Sequence, residues 1–517
     1  MVAPLLSSFS WLLTKTPEPI LEGICRGLGC LVYHLPSERS HLVKSNLHHA
    51  FPERSEAWRR KIGRLTFARF FEMALYGFGA RFFDEEWVKT HFLMEEDDRR
   101  RMEVMTAGET PAVVLLPHVT LAEILCATPV ILPEARGSGV VYRPLTPPSL
   151  DTWVKEVRER WGIVAISRNE GVGGMNTVLR DERKGVCLLY DQNTGKKGSM
   201  HLFLGRVASS TPLPGLLARR FKANLYFVVP RRIRFWTAQL SCRPLTGLKS
   251  IEDITLKSQQ CLEDYLRGSD EQCAEWLWAH GRWGALSGPR KRFGYHGARL
   301  FMDPENIGPD QRKTRFWIRL PNWLGDVVMA LPFLRALRQG RPDAELTLLA
   351  RPHFLPLLEK WGVADRTLPL PDKGRNPVPY FRSFYRLRHQ YPDTWVSFTN
   401  SPRSDLEAFA VRAPQRFGML RPGRRRPLLT HSWKMPADLD EAAVHQTEVW
   451  HDYFRHFGLE AEPDFSAFGE PSGGKAIGMI CGTENAPEKR WPVPSWRTLI
   501  EQILERSQEK RGGEVPV

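Results

Sequence analysis

The chain has 517 residues, 42% of them hydrophobic and 25% charged, and a formal net charge of +15. Single cores stop growing at about 250 to 300 residues, so two or more domains are expected, and this composition buries enough apolar surface to exclude wholesale disorder. The positive charge points to anionic partners, whether nucleic acid, anionic lipid or an acidic carrier protein; with no zinc-finger spacing, RNA-recognition signature or long basic tail, nucleic acid is not expected.

Residues 1–35 are apolar but broken by Lys15, Pro17, Glu18, Pro19, Glu22 and Arg26. A membrane span needs about 20 consecutive apolar residues. A signal peptide needs a basic leader and a small-residue cleavage site, and neither is evident. An amphipathic segment lying in the membrane interface is expected, with an ordinary buried helix as the alternative. The eight cysteines show no C-x-x-C pair, and several, such as Cys187 between Val186 and Leu188, sit in apolar runs. They read as reduced, buried thiols.

From Pro111 onward, short apolar runs alternate with helical patterns, the arrangement of an α/β domain. Pro111–Leu116, Val140–Tyr142, Ile163–Ile166, Val186–Tyr190 and Asn224–Val229 predict strands; Leu150–Trp161 and Asp253–Trp283 predict helices. His118 directly follows the first of these strands, and Glu123 lies five positions on. On a helix, that spacing turns through roughly 140°, so the two side chains meet only if His118 lies in a turn and Glu123 in the first helical turns, with Thr120 as the cap. A histidine held by a carboxylate keeps one tautomer and gains proton affinity, which suits it to deprotonate a hydroxyl attacking a thioester. Taken alone the spacing is weak, since most such pairs are structural.

The surrounding residues carry more weight. Asn46-Leu47, Ala50-Phe-Pro-Glu53, Tyr142-Arg-Pro144, Ile166-Ser-Arg168, Asp191-Gln192, Phe203-Leu-Gly-Arg206 through Thr211, Val229-Pro230 and Glu275-Trp-Leu-Trp-Ala-His280 with Arg282-Trp283 occur in that order around His118 and Glu123. This stretch, about residues 16–285, resembles the late acyltransferases of lipid A biosynthesis, lauroyl- and myristoyl-transferring relatives of the glycerolipid acyltransferases. The resemblance implies His118 as general base and Glu123 as the group that orients it. It implies Arg168 as a candidate for binding acceptor phosphate or steadying negative charge, with a surface helix cap as the alternative. Asp191 and Gln192 line up with an acceptor-binding block, or else form a polar loop. Trp276, Trp278 and Trp283 read as core or membrane-interface aromatics. The basic pairs Lys196-Lys197, Arg219-Arg220 and Arg231-Arg232 are solvated faces or contacts for lipid phosphates or an acidic acyl carrier protein. Arg282 follows Gly281 where the family usually has a second basic residue, which weakens any role built on that pair.

Gly288-Pro-Arg-Lys-Arg-Phe-Gly and Asn306-Ile-Gly-Pro-Asp interrupt all periodicity and predict a linker. Beyond it, Arg315–Leu320 predicts a strand, and Pro321-Asn-Trp-Leu-Gly-Asp326 joins it to a helix beginning near Val327. With Ala330–Arg335, Arg341–Leu346 and Gly482–Pro492, this half resembles the heptosyltransferases of lipopolysaccharide core assembly, two-domain enzymes of the GT-B type. That resemblance implies Asp326 as a base for the acceptor sugar and Lys489 facing the donor diphosphate. A helix-start carboxylate and a loop lysine are the alternatives. The Asp-(Ser/Thr)-Gly-Pro-x-His block of the sugar-nucleotide site is not found before Val517, so no glycosyl transfer is expected from these residues alone.

The expected fold is therefore a glycerolipid-acyltransferase-like α/β domain, then a Rossmann-like α/β domain corresponding to the N-terminal half of a GT-B fold, and the start of a second one. The expected boundaries are 1–35 for a membrane-interface segment, 36–287 for the acyltransferase, 288–312 for the linker, 313–470 for the Rossmann-like domain and 471–517 for the incomplete nucleotide-binding domain. The resemblance implies an acyl carrier protein as donor, a lipid A precursor as acceptor and the cytoplasmic face of the bacterial inner membrane as the location. No metal or redox cofactor is implied. The alternatives are acylation of another lipid, such as a lysophospholipid or a glycosylated inositol lipid, or a glycosyltransferase or docking module with an idle acyltransferase-like anchor.

Overall fold

The computed structural model describes residues 2–171, 173–283, 301, 303–372, 374–441, 443–459, 461–465, 478–479, 481–482 and 487–511. Its two compact units are Met1–Pro463 and Asp464–Val517. Much of the predicted linker, 288–300 and 302, lies outside the described residues, as do 471–477, 480, 483–486 and 512–517 of the expected nucleotide-binding domain. The smaller unit contributes the 3-10 turn Pro487–Lys489 and the helix Val493–Arg511.

The larger unit holds two main sheets. The first uses β1 (Phe92–Met94), β2 (Ala112–Leu116), β3 (Gly139–Tyr142), β4 (Val164–Ser167), β5 (Gly185–Leu189), β8 (Asn224–Arg234) and β9 (Thr237–Pro244), while β6 (Ser199–Phe203) and β7 (Arg206–Ser210) form a separate hairpin. Its order is β1-β9-β8-β2-β5-β3-β4, parallel at every pairing except β8 with β9. All five residues of β2 are buried. Val113 and Leu115 enter one core and Ala112 and Val114 the other, because successive side chains leave a strand on opposite faces. A strand covered on both sides reads as a continuous apolar run, which is why Pro111–Leu116 stands out in the sequence.

The second sheet comprises β10 (Thr314–Arg319), β11 (Ala344–Ala350), β12 (Arg366–Pro369), β13 (Thr394–Ser397), β14 (Gln415–Leu420) and β15 (His431–Lys434). All its pairings are parallel, in the order β12-β11-β10-β13-β14-β15. Renumbered from its own first strand this is 3-2-1-4-5-6, the doubly wound Rossmann order.

Among the described residues five helices precede β1 in the chain: α1 (Val2–Lys15), α2 (Glu18–His34), α3 (Glu38–Ala50), α4 (Glu56–Gly79) and α5 (Glu85–His91). Pro17 and Pro19 separate α1 from α2 and sit where a helix start leaves N–H groups unused. Ser37 and Ser55 cap α3 and α4, their hydroxyls accepting from Ser40 N and Trp58 N at 3.1 Å. On its inner face α2 buries Leu21, Cys25, Gly29 and Tyr33. A Cβ on Gly29 would lie 2.5 Å from Ala68 N, so only glycine lets α2 approach the α4 backbone this closely. Among the described residues no helix is long and apolar enough to cross a membrane.

One predicted element is corrected. Asp253–Trp283 is not a single helix: the chain forms Ile251–Gly268, restarts at Asp270–Glu275 with Ser269 as cap, and then leaves the helical path. Trp276 and Trp278 are buried one residue apart, and Trp276 bridges to Val119, so the tryptophans follow an extended spacing set by the core.

Candidate active site

β2 and β5 are adjacent and parallel, with Leu116 paired to Leu189. Two residues past each strand end, the same register brings His118 opposite Asp191. Asp191 is wholly buried, and its Oδ1 lies 2.5 Å from His118 Nδ1. Its Oδ2 accepts from His118 N at 3.1 Å and from the Trp276 indole at 2.5 Å. The two donors at Oδ2 leave Oδ1 to the imidazole, so Nδ1 carries the proton and Nε2 is the open, basic nitrogen. Gln192 caps that nitrogen, its amide lying 3.0 Å from Nε2. The His118 side chain is 21% exposed.

Burial disfavours the imidazolium, but the Asp191 charge and hydrogen bond outweigh it, with a further contribution from Glu123, so the His118 pKa is raised above its ordinary value. Burial likewise works against the Asp191 carboxylate, and the His118 charge overcomes it, holding the carboxyl well below its usual range.

The expected His118–Glu123 pairing is therefore corrected. Glu123 lies in the 3-10 helix Ala122–Ala127 and is gripped by Arg158, with Nε to Oε2 at 2.9 Å and Nη2 to Oε1 at 2.5 Å. Such a two-pronged pair fixes the carboxylate in direction as well as position. Thr120 does not cap this helix; its hydroxyl donates to Glu275 O at 3.2 Å. Arg168 is exposed on the 3-10 turn Arg168–Glu170, so the arginine brought to the Glu123 carboxylate is Arg158, which the motif reading missed.

Two apolar cavities meet at the Glu123–Arg158 pair, and Cys126 also lines both. One, of about 840 Å³, runs beneath the sheet among Met102, Met105, Val114, Leu125 and Val228. The other, of about 1320 Å³, lies between α4 and the helix Pro148–Glu159, against Phe70, Met73, Phe78, Trp153 and Val157. Cys187 lines the first, and burial pushes its thiol up to about 12, so it is a neutral apolar wall rather than a nucleophile.

The segment following Glu275 clamps the His118 turn from behind. Besides the Trp276 contacts, Leu277 N donates to His118 O at 3.1 Å. The Glu275 carboxyl is buried, with Oε2 accepting from Tyr265 at 2.9 Å and Arg232 N at 3.1 Å, and burial pushes its pKa up to about 8. Because the folded value is the higher one, the native state binds the extra proton. The associated stability is complete below the unfolded pKa of about 4.3 and is lost as pH rises through 8. Glu275→Gln should therefore melt at a higher temperature than the wild type at pH 8.5, with the difference closing at pH 4. Thermal melts across pH test this, and an unchanged pH dependence would contradict it.

In the second sheet, Asp326 occupies the first turn of the helix Leu324–Gly340, and burial raises its pKa. It opens onto a polar cavity of about 810 Å³ lined also by Asn322, Thr399, Asn400, Glu441 and Gln446. Lys489 lies in the smaller unit, and its side chain is outside the described residues. Among the described residues, no group of histidine, cysteine or acidic side chains is arranged to hold a metal ion.

The sequence profile of the bacterial lipid A biosynthesis acyltransferases matches residues 3–284, more than half of the chain and the whole of the site around His118. The chain belongs to this family. This acyltransferase is 27% identical over 232 residues to the lipid A biosynthesis lauroyltransferase of Escherichia coli (strain K12), covering 43% of this chain and 71% of that relative. It is also 26% identical over 207 residues to lipopolysaccharide heptosyltransferase 2 of Salmonella typhimurium (strain LT2), covering 36% of this chain and 58% of that protein's length. Among solved structures, E. coli ADP-heptose lps heptosyltransferase II aligns at 20% identity and a TM-score of 0.28, over 37% of the acyltransferase and 62% of the solved chain.

Proposed function

We propose that this protein moves a fatty acyl chain from an acyl carrier protein thioester to a hydroxyl of a lipid A precursor at the cytoplasmic face of the bacterial inner membrane. The observation that carries the proposal is His118 itself, with Nδ1 tied to a buried carboxylate and Nε2 met by the amide of the exposed Gln192. The acceptor hydroxyl takes the place of the Gln192 amide at Nε2 and gives up its proton there as its oxygen bonds to the thioester carbonyl carbon. Collapse of the tetrahedral adduct breaks the carbon–sulfur bond, and the imidazolium returns the proton to the leaving thiolate. Asp191 stays ionised throughout and stabilises the transient imidazolium. In this account the apolar cavities take the fatty chain, and the Glu123–Arg158 pair fixes where its polar end stops. Lys197, exposed on the turn Gly195–Lys197 shortly after Gln192, suits an acidic carrier.

Membrane attachment through α1 and α2 is supported by an exposed stripe of Ile20, Ile24, Leu28 and Leu31, spaced three or four residues apart and opposite the packed face of α2. Phe9, Trp11 and Leu12 are exposed on α1. An amphipathic pair of this kind binds in the interface plane without spanning. Leu28→Asp with Leu31→Asp should abolish co-sedimentation with vesicles of phosphatidylglycerol and phosphatidylethanolamine while leaving the melting temperature unchanged; continued sedimentation would refute this attachment.

The division into a membrane-interface segment, an acyltransferase domain, a linker and heptosyltransferase-like parts belongs to the same proposal. Glycosyl transfer has one observation in its favour, the polar cavity at Asp326, where that carboxylate would serve as base. The deciding experiment incubates the purified chain with lauroyl- or myristoyl-carrier protein and a lipid A precursor, and reads the product by mass spectrometry. A gain of one acyl group that depends on His118 supports the reading; no acyl gain on this acceptor refutes it.

A further inference from the structure

The loop leaving β5 carries Asp191 and Gln192 and runs directly into the β6–β7 hairpin. Ser209 on β7 donates to Gly195 O at 2.6 Å, and a Cβ on Gly198 would lie 2.1 Å from the same Ser209 oxygen, so loop and hairpin are packed without slack. The hairpin is held in turn by the part of the chain that bears the second sheet. At its tip, Gly205 O accepts from Arg312 N at 2.6 Å, and a Cβ on Gly205 would come within 2.8 Å of Asp310 O. The next residue, Arg206, is buried and reaches across to Asp393 Oδ1 at 2.6 Å.

Asp393 stands just before β13 and also accepts from Arg315 N at 2.9 Å, which ties it to β10 at the centre of the second sheet. A second route runs through α3. His49 Nε2 lies 3.1 Å from Tyr391 O, and Arg412 donates to the Ser37 and Pro36 carbonyls at the start of α3. From the same helix, Asn46 donates to Trp278 O at 2.8 Å and to His280 O at 3.0 Å, on the segment that clamps the His118 turn. Both supports of the imidazole are thus themselves supported by the second sheet.

We infer that Asp393, a residue of the heptosyltransferase-like half, is a positioning residue for acyl transfer, acting through Arg206 and the β6–β7 hairpin on the loop that holds Asp191 against His118. The inference rests on the acyltransferase reading given above. A largely covered carboxylate with two donors, its side chain 13% exposed, fixes the hairpin in distance and direction, and small displacements at a reacting centre can cost about 100-fold. On this account the second half serves acyl transfer whether or not it transfers sugar.

The test compares wild type, Asp393→Asn, Asp393→Glu and Arg206→Lys as full chains, with lauroyl-carrier protein and lipid A precursor. Steady-state kinetics are read beside melting temperature and hydrogen exchange over 193–199. The expected result for Asp393→Asn is a fall in kcat of about tenfold or more with both KM values within twofold, faster exchange in that loop, and substantial recovery of kcat in Asp393→Glu. Should Asp393→Asn not fold, Arg206→Lys is read by the same criteria. A kcat equal to that of an active wild type overturns this inference alone, as does a loss that merely tracks melting temperature with no recovery in Asp393→Glu. A wild type that transfers no acyl group overturns the parent reading instead.

Discussion

Replacing His118 with alanine is expected to cut acyl transfer by about 10² to 10⁴-fold, the range typical of a positioned general base. Alanine also removes the Nδ1 donor from a buried carboxylate, so part of any loss could arise from disturbance of Asp191. His118→Gln separates the two effects, since its amide can donate to Asp191 but offers no nitrogen basic enough to take a proton. Both variants should be nearly inactive, with His118→Gln retaining the wild-type melting temperature more fully. Activity in His118→Gln above a tenth of wild type would remove the imidazole from the proton transfer.

Asp191→Asn is the second large effect, and here the hydrogen bonds determine the outcome. Two donors, His118 N and the Trp276 indole, converge on Oδ2. An asparagine must place its carbonyl oxygen there to satisfy them, which turns its amide NH₂ toward His118 Nδ1. The ring then has to accept at Nδ1 and carry its proton on Nε2, where it meets the substrate hydroxyl as a donor instead of a base. An inverted tautomer of this kind costs a histidine–carboxylate enzyme about 10⁴-fold, and a loss of about 10³-fold or more is expected here in kcat with little change in KM. The same substitution removes a buried charge together with its partner's imidazolium, so stability at neutral pH should change far less than activity. Parallel kinetic and denaturant titrations check this.

The residues at the strand ends were legible in the sequence; their partners were not. Pro111–Leu116 announces a doubly covered strand, and its position alone puts His118 at a carboxyl edge. Asp191 and Gln192 were singled out at the end of another strand, but as groups facing an acceptor. Their meeting with His118 depends on β5 lying beside β2 in space, although β3 and β4 come between them in the chain. No local spacing encodes that adjacency. Once the order is known, register gives the pair directly, Leu116 with Leu189 and hence His118 with Asp191.

Glu123 illustrates the converse. Proximity in sequence suggested a partner for His118, yet the 3-10 helix directs its carboxylate toward the helix Pro148–Glu159, where Arg158 holds it. A signal for this was present, since Arg158 falls within the stripe formed by Leu150, Val154, Val157 and Trp161. A cation on the apolar side of a helix needs a buried carboxylate. The second sheet was legible for a different reason: uninterrupted strand–helix alternation admits few topologies other than parallel winding. The grip of Asp393 on Arg206 crosses 187 residues and left no trace in either local pattern.

The measurement that bears most directly on the central claim is the pH dependence of kcat/KM for acyl transfer in wild type, Asp191→Asn and Glu123→Gln. If His118 is the base and Asp191 its partner, the acid limb of the wild-type profile lies above the ordinary histidine value of about 6.5, because the base must be neutral and its pKa is raised. That limb should move to lower pH in Asp191→Asn, by more than in Glu123→Gln. A limb that stays in place in Asp191→Asn and shifts in Glu123→Gln would return the orienting role to Glu123 and contradict the geometry described for His118.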